Sequence, residues 1–101
     1  MKITFLQEAK LEFLDAISYY ESEQPGLGQR FKDELDRSLL WLAEHAEVCR
    51  LRSGGYRRIN LRIFPYYIPY VVRETTLWVL AIAHHRRRPE YWIKRRPDIN
   101  W

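Results

Sequence analysis

The chain has 101 residues, 17 of them Lys or Arg and 13 Asp or Glu, giving a net charge of +4. That length suits one domain over residues 1–101 with a single core. With 47% hydrophobic and 15% aromatic residues, an intrinsically disordered chain is excluded.

The longest apolar run, Leu77 to Ala83, is too short to span a bilayer, so no membrane partner is expected. The N-terminal stretch MKITFLQEAK has no apolar segment of signal-peptide length, which places the expected location in the cytoplasm. Cys49 is the single cysteine. No intramolecular disulfide can form, in keeping with a reducing compartment, and a buried structural thiol is its expected role.

Charge is divided unevenly along the chain. Residues 1–49 hold five Lys/Arg and ten Asp/Glu, a net of −5, whereas residues 50–101 hold twelve and three, a net of +9. Thirteen of the seventeen basic residues are arginine, the residue suited to bidentate recognition of phosphate or carboxylate. The asymmetry points to an anionic partner for the second half. The plainer alternative is a basic sheet face lying beside an acidic helix face.

Taken in order, Met1 to Leu6 alternates Ile3 and Phe5 against Lys2 and Thr4, which predicts a short strand at a sheet edge. Gln7 to Glu23 changes period: Ala9, Phe13, Ala16, Ile17 and Tyr20 recur at three and four. The acidic residues, Glu12 among them, fall mostly outside that stripe, so the segment reads as an amphipathic helix of about four turns. Pro25 and the glycines of Gln24-Pro25-Gly26-Leu27-Gly28 end it in a sharp turn. A second helix is predicted over Gly28 to Glu44, with Phe31, Leu35, Leu39 and Leu42 as its stripe. So short a link makes the two helices an antiparallel hairpin.

His45 to Arg52 reads as a connector passing into a short strand, and Ser53-Gly54-Gly55 is a turn. In Tyr56 to Phe64, Ile59, Leu61 and Ile63 alternate against Arg58, Asn60 and Arg62, giving a half-buried strand with a basic outer face. Tyr66 to Arg73 resumes after Pro65, with Tyr66, Ile68, Tyr70 and Val72 opposed to Tyr67, Pro69 and Val71. Pro69 lacks a ladder donor, so the strand is expected to be an edge or to be bulged there. Glu74-Thr75-Thr76 is the next turn, and Leu77 to Ala83, apolar on both sides, reads as a central strand. Pro89 suits the first turn of a last helix, Pro89 to Arg96, which Pro97 stops. The order β-α-α-β-β-β-α defines an α+β domain.

Several pieces then form a recognisable set. Tyr19-Tyr20-Glu21, Pro25-Gly26-Leu27-Gly28 with Phe31 and Glu34-Leu35, and Arg62-Ile63-Phe64-Pro65-Tyr66 occur in order. Val79-Leu80-Ala81-Ile82-Ala83-His84, Arg86-Arg87-Arg88-Pro89 and Tyr91-Trp92 follow. Together, over roughly residues 3 to 96, they resemble the ParE-like branch of the RelE/ParE toxins. The resemblance implies a helical hairpin packed on a small, mostly antiparallel sheet. It also implies the toxin of a type II toxin–antitoxin pair, which arrests growth and is neutralised by a cognate antitoxin in a toxin–antitoxin hetero-oligomer. ParE-like members poison DNA gyrase; RelE-like members enter the ribosome and cleave mRNA.

Metal-independent RNA cleavage needs groups that activate the 2′-OH, stabilise phosphorane charge and assist the leaving group. Arg58 and Arg62 on one strand face could clamp phosphates, His85 could transfer protons near neutrality, and Tyr91 or Trp92 could stack on a base. RelE-like nucleases carry an arginine directly after the aromatic of a Gly-Tyr-Arg turn, where this chain has Pro65-Tyr66-Tyr67. The partial set favours a non-nuclease toxin that docks on gyrase through Arg58, Arg62, Arg86, Arg87, Arg88, Tyr91 and Trp92, residues equally suited to the antitoxin. The alternatives are a ribosome-dependent endonuclease using Arg58, Arg62, His85 and Tyr91, or a degenerate toxin that only binds its antitoxin.

The antitoxin is expected to present an acidic amphipathic segment that folds on binding. Structural roles are expected for His84, packed at a strand end, for His45 at the end of the second helix, and for Trp41, Trp78 and Trp92 in core or domain-edge packing, the alternative for Trp92 to a target contact. Trp101 is a candidate partner contact. No His/Cys/Asp/Glu cluster has metal-ligand spacing and no glycine-rich phosphate loop is present, so neither metal nor cofactor is expected.

Overall fold

The hairpin is built around one close approach. The computed structural model describes residues 1–95; Arg96, Pro97 and Trp101, named above as a helix end, its stop and a contact, lie outside the described residues. Helix α1 runs Gln7–Glu23 and α2 runs Leu27–His45. Between them Gly26 adopts φ +88°, a left-handed conformation that glycine tolerates. The Glu21 carboxylate accepts the backbone N–H of Gly26 and of Gly28, at 3.0–3.1 Å, satisfying donors at the start of α2 that have no partner within the helix. A Cβ on Gly28 would lie 2.7 Å from the Ile17 carbonyl oxygen, so glycine sets how near the helices come.

Both helices lie on one face of a sheet with order β1-β4-β3-β2. Its strands are β1 (Lys2–Phe5), β2 (Arg57–Asn60), β3 (Tyr66–Arg73) and β4 (Thr76–Val79), and β5 (Ala83–His84) extends it beside β3. β1 joins β4 in parallel at one edge, and every other pairing is antiparallel. This is the expected α+β class, with the first strand at the edge.

Alternation decides the two faces. Ile68 and Tyr70 of β3, with Leu77 and Val79 of β4, are buried with Phe31, Leu35, Leu39 and Leu42 of α2. The Tyr70 hydroxyl reaches across to the Ala46 carbonyl just past α2, at 2.6 Å. Tyr67, Pro69 and Val71 therefore look the other way.

Four segments differ from the sequence expectation. The strand predicted over Tyr56 to Phe64 ends at Asn60. Buried Glu34 of α2, only 6% exposed, accepts the N–H of Arg62 and, at 3.2 Å, of Ile63, drawing these two residues out of the ladder just after Leu61, whose N–H still donates to the Tyr66 carbonyl at 2.9 Å.

The strand predicted over Leu77 to Ala83 breaks after Val79 and resumes at Ala83. Tyr70 pairs Val79 and Tyr67 pairs Ala83, so three residues, Leu80 to Ile82, oppose the two residues Ile68 and Pro69. That is a one-residue bulge. Pro69 directs its carbonyl to the Leu80 N–H at 2.9 Å, so the donor it lacks also belongs on that side, where the bulge removes the need for it. β3 is thus internal and bulged opposite its proline.

The last helix does not form as an α-helix over the described residues. Tyr91, Ile93 and Arg95 donate to the carbonyls of Arg88, Glu90 and Trp92, all three residues back, and a short 3₁₀ turn occupies 93–95. Glu90 has φ +57°, which interrupts a right-handed helix. The segment is anchored by its side chains instead. The connector before β2 likewise forms only a single bridge, Arg52 to Tyr56, around Gly54 and Gly55.

Candidate functional site

The sheet face turned away from the helices carries an aromatic stack. Trp92 is completely buried there and donates its Nε1–H to the Tyr67 hydroxyl at 3.0 Å. The Tyr56 ring meets Trp92 edge-on at 4.5 Å, and its hydroxyl donates to Glu90 at 2.7 Å. Burial and then that bond push the Tyr56 phenol up to about 12. The Arg58 guanidinium lies 4.2 Å over the Tyr67 ring, and the His85 ring lies 5.2 Å from it. Arg58 Nε is buried without a hydrogen-bond partner among the described residues. Desolvation first, then Arg58, then His84 lower the His85 pKa from 6.5, so this exposed imidazole is neutral at neutral pH. Arg58 and His85 are therefore brought together about Tyr67. Of the two roles expected for Trp92, packing and target contact, the structure shows packing: it is a core residue, covering Tyr67 on the far sheet face.

Glu12 of α1 is a second centre. Its Oε1 accepts the Ile82 N–H of the bulge at 3.1 Å and an Arg95 Nη1–H at 3.0 Å. Its Oε2 accepts the Tyr91 hydroxyl at 2.7 Å and an Arg95 Nη2–H at 2.9 Å, with Arg87 at 3.6 Å. Arg87 also lies 3.7 Å over the Tyr91 ring. Tyr91 is thus bonded to a carboxylate and covered by a guanidinium, and burial followed by the Glu12 bond holds its phenol well above the ordinary range. It is not presented as a free base-stacking or proton-transferring group, as the nuclease reading requires.

Arg62 lies elsewhere again. With Arg37, Ser38 and Trp41 of α2, and with Ile59 and Ile63, it lines an open groove of about 710 Å³ above Glu34. Trp41 and Ile63 are 40% and 68% exposed, and the neighbouring β2 is the sheet edge, with no strand on its outer side among the described residues. Trp41 stacks on His45 at 4.6 Å, and His45 Nδ1 lies 2.9 Å from the Trp41 carbonyl. Arg58 faces Tyr67 across the sheet, so the two arginines do not form the shared phosphate clamp expected from strand alternation. The strand ends between them.

Arg86, Arg87 and Arg88 are all exposed. His84 Nδ1 accepts the Arg86 N–H at 3.0 Å, and its ring packs 5.0 Å from Tyr66. Cys49 is half-buried against the core. Trp78 is also partly buried against it. Among the described residues no three His, Cys, Asp or Glu side chains come together as metal ligands, and no helix is long and apolar enough to cross a membrane.

Sequence reasoning missed Glu12 and Glu34. Glu34 lies one turn from Phe31 on the apolar stripe of α2, a position at which a carboxylate must find buried donors. Glu12 gave no comparable signal, since its partners are 70 to 83 residues away.

A helical hairpin lies on one face of a small, mostly antiparallel sheet, the fold that the resemblance to the RelE/ParE toxins implies. The family model described as ParE toxin of type II toxin-antitoxin system, parDE, matches residues 3–89, and the chain belongs to that family. Membership implies a cognate antitoxin as partner. A solved structure titled "Chromosomal ParDE TA system from P. aeruginosa" is similar, with a TM-score of 0.73 and 17% identity, covering 83% of this chain and 95% of that one. At that identity the likeness concerns the fold. No curated protein matches the chain.

Proposed function

We propose that this chain is a single toxin domain that acts in the cytoplasm by docking on DNA gyrase, arrests growth without catalysing a reaction of its own, and is neutralised by an antitoxin. The observation that carries this reading is the dispersal of the nuclease candidates on a ParE-family framework. Arg58 and His85 share the Tyr67 face, Arg62 lines the α2 groove, and Tyr91 is held by Glu12. The exposed guanidiniums of Arg86 and Arg88 supply a positive docking edge for gyrase.

The groove beside α2 suits the antitoxin. Its apolar residues Trp41, Ile59 and Ile63 are flanked by Arg37 and Arg62, which matches an amphipathic segment with acidic flanks. Purified gyrase tests the main claim: supercoiling should fall as toxin is added and recover when antitoxin is supplied. Full supercoiling at saturating toxin would refute it.

A further inference from the structure

Two adjoining depressions between α1 and the chain around β5 are not used by the antitoxin reading, and the gyrase reading draws on them only through Arg86 at one rim. One, of about 550 Å³, is lined by Tyr19, Tyr20, Tyr66, His84 and Arg86, among others. The other, of about 270 Å³, shares Tyr19, Tyr66 and His84 and continues to Asp15. They form one trough with an aromatic middle, Arg86 at one end, and Asp15 at the other beside the Glu12–Arg87 pair. The larger is of the size that accepts small organic ligands.

Some of its polar groups are unspent, although the Tyr19 hydroxyl already donates to Glu23 at 3.4 Å. The hydroxyls of Tyr20 and Tyr66 have no hydrogen-bond partner among the described residues and are not sealed from solvent. The Arg86 N–H occupies His84 Nδ1, so in the neutral ring the proton sits on Nε2, which becomes a donor. Tyr19 is 56% exposed, although water is a poor environment for an aromatic face. Glu12, which also borders the trough, is saturated by Arg95 and Tyr91. Asp15 has no cation within salt-bridge distance among the described residues.

We propose that this trough binds a nucleotide unit, with its base on Tyr19 and Tyr66, its phosphate on Arg86, and the amino edge of the base on Asp15. Aromatic faces stack bases of any sequence, and a guanidinium holds phosphate. The carboxylate adds selection, because two acceptor oxygens match the adjacent N1–H and N2–H donors of guanine, whereas uracil offers no exocyclic amine. The same chemistry is available from a free mononucleotide or from a single-stranded nucleic acid.

Calorimetric titration of the full chain with GMP, UMP, inorganic phosphate and a short guanosine-containing single-stranded RNA tests the assignment. GMP should bind saturably and tighter than UMP, and phosphate alone should bind weakest. Tyr19→Ala and Arg86→Gln, both at exposed positions, should each weaken GMP by about tenfold. Asp15→Asn should remove the preference for GMP over UMP. An RNA that binds tighter than GMP, with the same sensitivity to these substitutions, identifies a single strand as the ligand; equal or weaker binding of RNA identifies the free nucleotide. Absence of saturable GMP binding would overturn the proposal. So would phosphate binding as tightly as GMP, or indifference of GMP binding to Tyr19→Ala and Arg86→Gln in variants whose circular dichroism shows them folded.

Discussion

Glu12 and Arg95 meet in a two-pronged ion pair, Nη1 to Oε1 at 3.0 Å and Nη2 to Oε2 at 2.9 Å, across 83 residues of chain. Each side chain is only 17% exposed. The pair fastens the last described turn to the first helix, where the segment after Arg88 lacks α-helical bonding of its own. Removing the charge from Glu12 leaves Arg95 with a weaker acceptor in a poorly solvated place. Glu12→Gln is expected to cost about 2–3 kcal/mol, less than a fully buried pair. Tyr91→Phe should cost about 1 kcal/mol. Urea denaturation checks both, and unchanged midpoints would contradict the role given to Glu12.

The helix hairpin gives a second expectation. Gly28→Ala would place a methyl 2.7 Å from a backbone oxygen of α1, which cannot swing aside as a side-chain end can. The helices must separate, at a cost of about 1–3 kcal/mol. Thermal unfolding reads the loss. A variant as stable as the parent would mean that the hairpin is looser than this contact requires.

Ile63 offers a test of the antitoxin groove that leaves the core untouched, since it is 68% exposed. Ile63→Asp puts a negative charge between Arg62 and the apolar floor, where an acidic partner is expected. Antitoxin affinity should fall by about tenfold or more with little change in stability. Affinity of the parent should also fall as salt rises, because the charge pairs at the rim are screened. Titration at two ionic strengths measures both effects.

His85 sets a slope on the acid side. Its folded pKa lies below the ordinary 6.5, through desolvation first and then through Arg58 and His84. As pH falls through 6.5 the unfolded chain takes up this proton before the folded one does, so stability is lost towards acid and regained above that value. His85→Gln should flatten the acid slope and leave stability above neutrality unchanged, as read by denaturation from pH 5 to 8.

Tyr56 sets the opposite slope in alkali. Its folded pKa, about 12 against an ordinary 10.0, arises from burial and then from the bond to Glu90. Between these values the unfolded chain loses the proton first, so stability falls as pH rises through the window. Tyr56→Phe should lower stability at neutral pH by about 1 kcal/mol through loss of the Glu90 bond, and should fall less steeply in alkali. A slope equal to that of the parent would show that Tyr56 does not carry it.

Much of the architecture follows from local pattern. The 3.6-residue recurrence of Phe31, Leu35, Leu39 and Leu42, the Pro25-Gly26 break and the alternation of Tyr66 to Val72 each act within a few residues. They specify two helices in a hairpin and the two opposed faces of β3, though not which of them meets the helices. Pro69 even signals its own bulge, because a missing donor must be accommodated wherever the strand is internal. The half-and-half division of charge and the ParE-like stretches are likewise properties of the sequence itself.

The arrangement of the surfaces is different in kind. Alternation put Arg58 and Arg62 on one face, but Glu34, whose place on the α2 stripe required buried donors, takes the Arg62 and Ile63 amides and ends the strand between them. Trp92 and Tyr91 look alike in sequence as aromatics beside arginines. One fills the far face of the sheet and the other is tied to Glu12, because only folding brings α1 and the segment from Tyr91 to Arg95 within hydrogen-bond reach. Hydrophobic periodicity is a local property and survives in the sequence. The partners of a carboxylate, and hence which side chains remain free to meet another molecule, depend on contacts between distant segments and exist only in the tertiary structure.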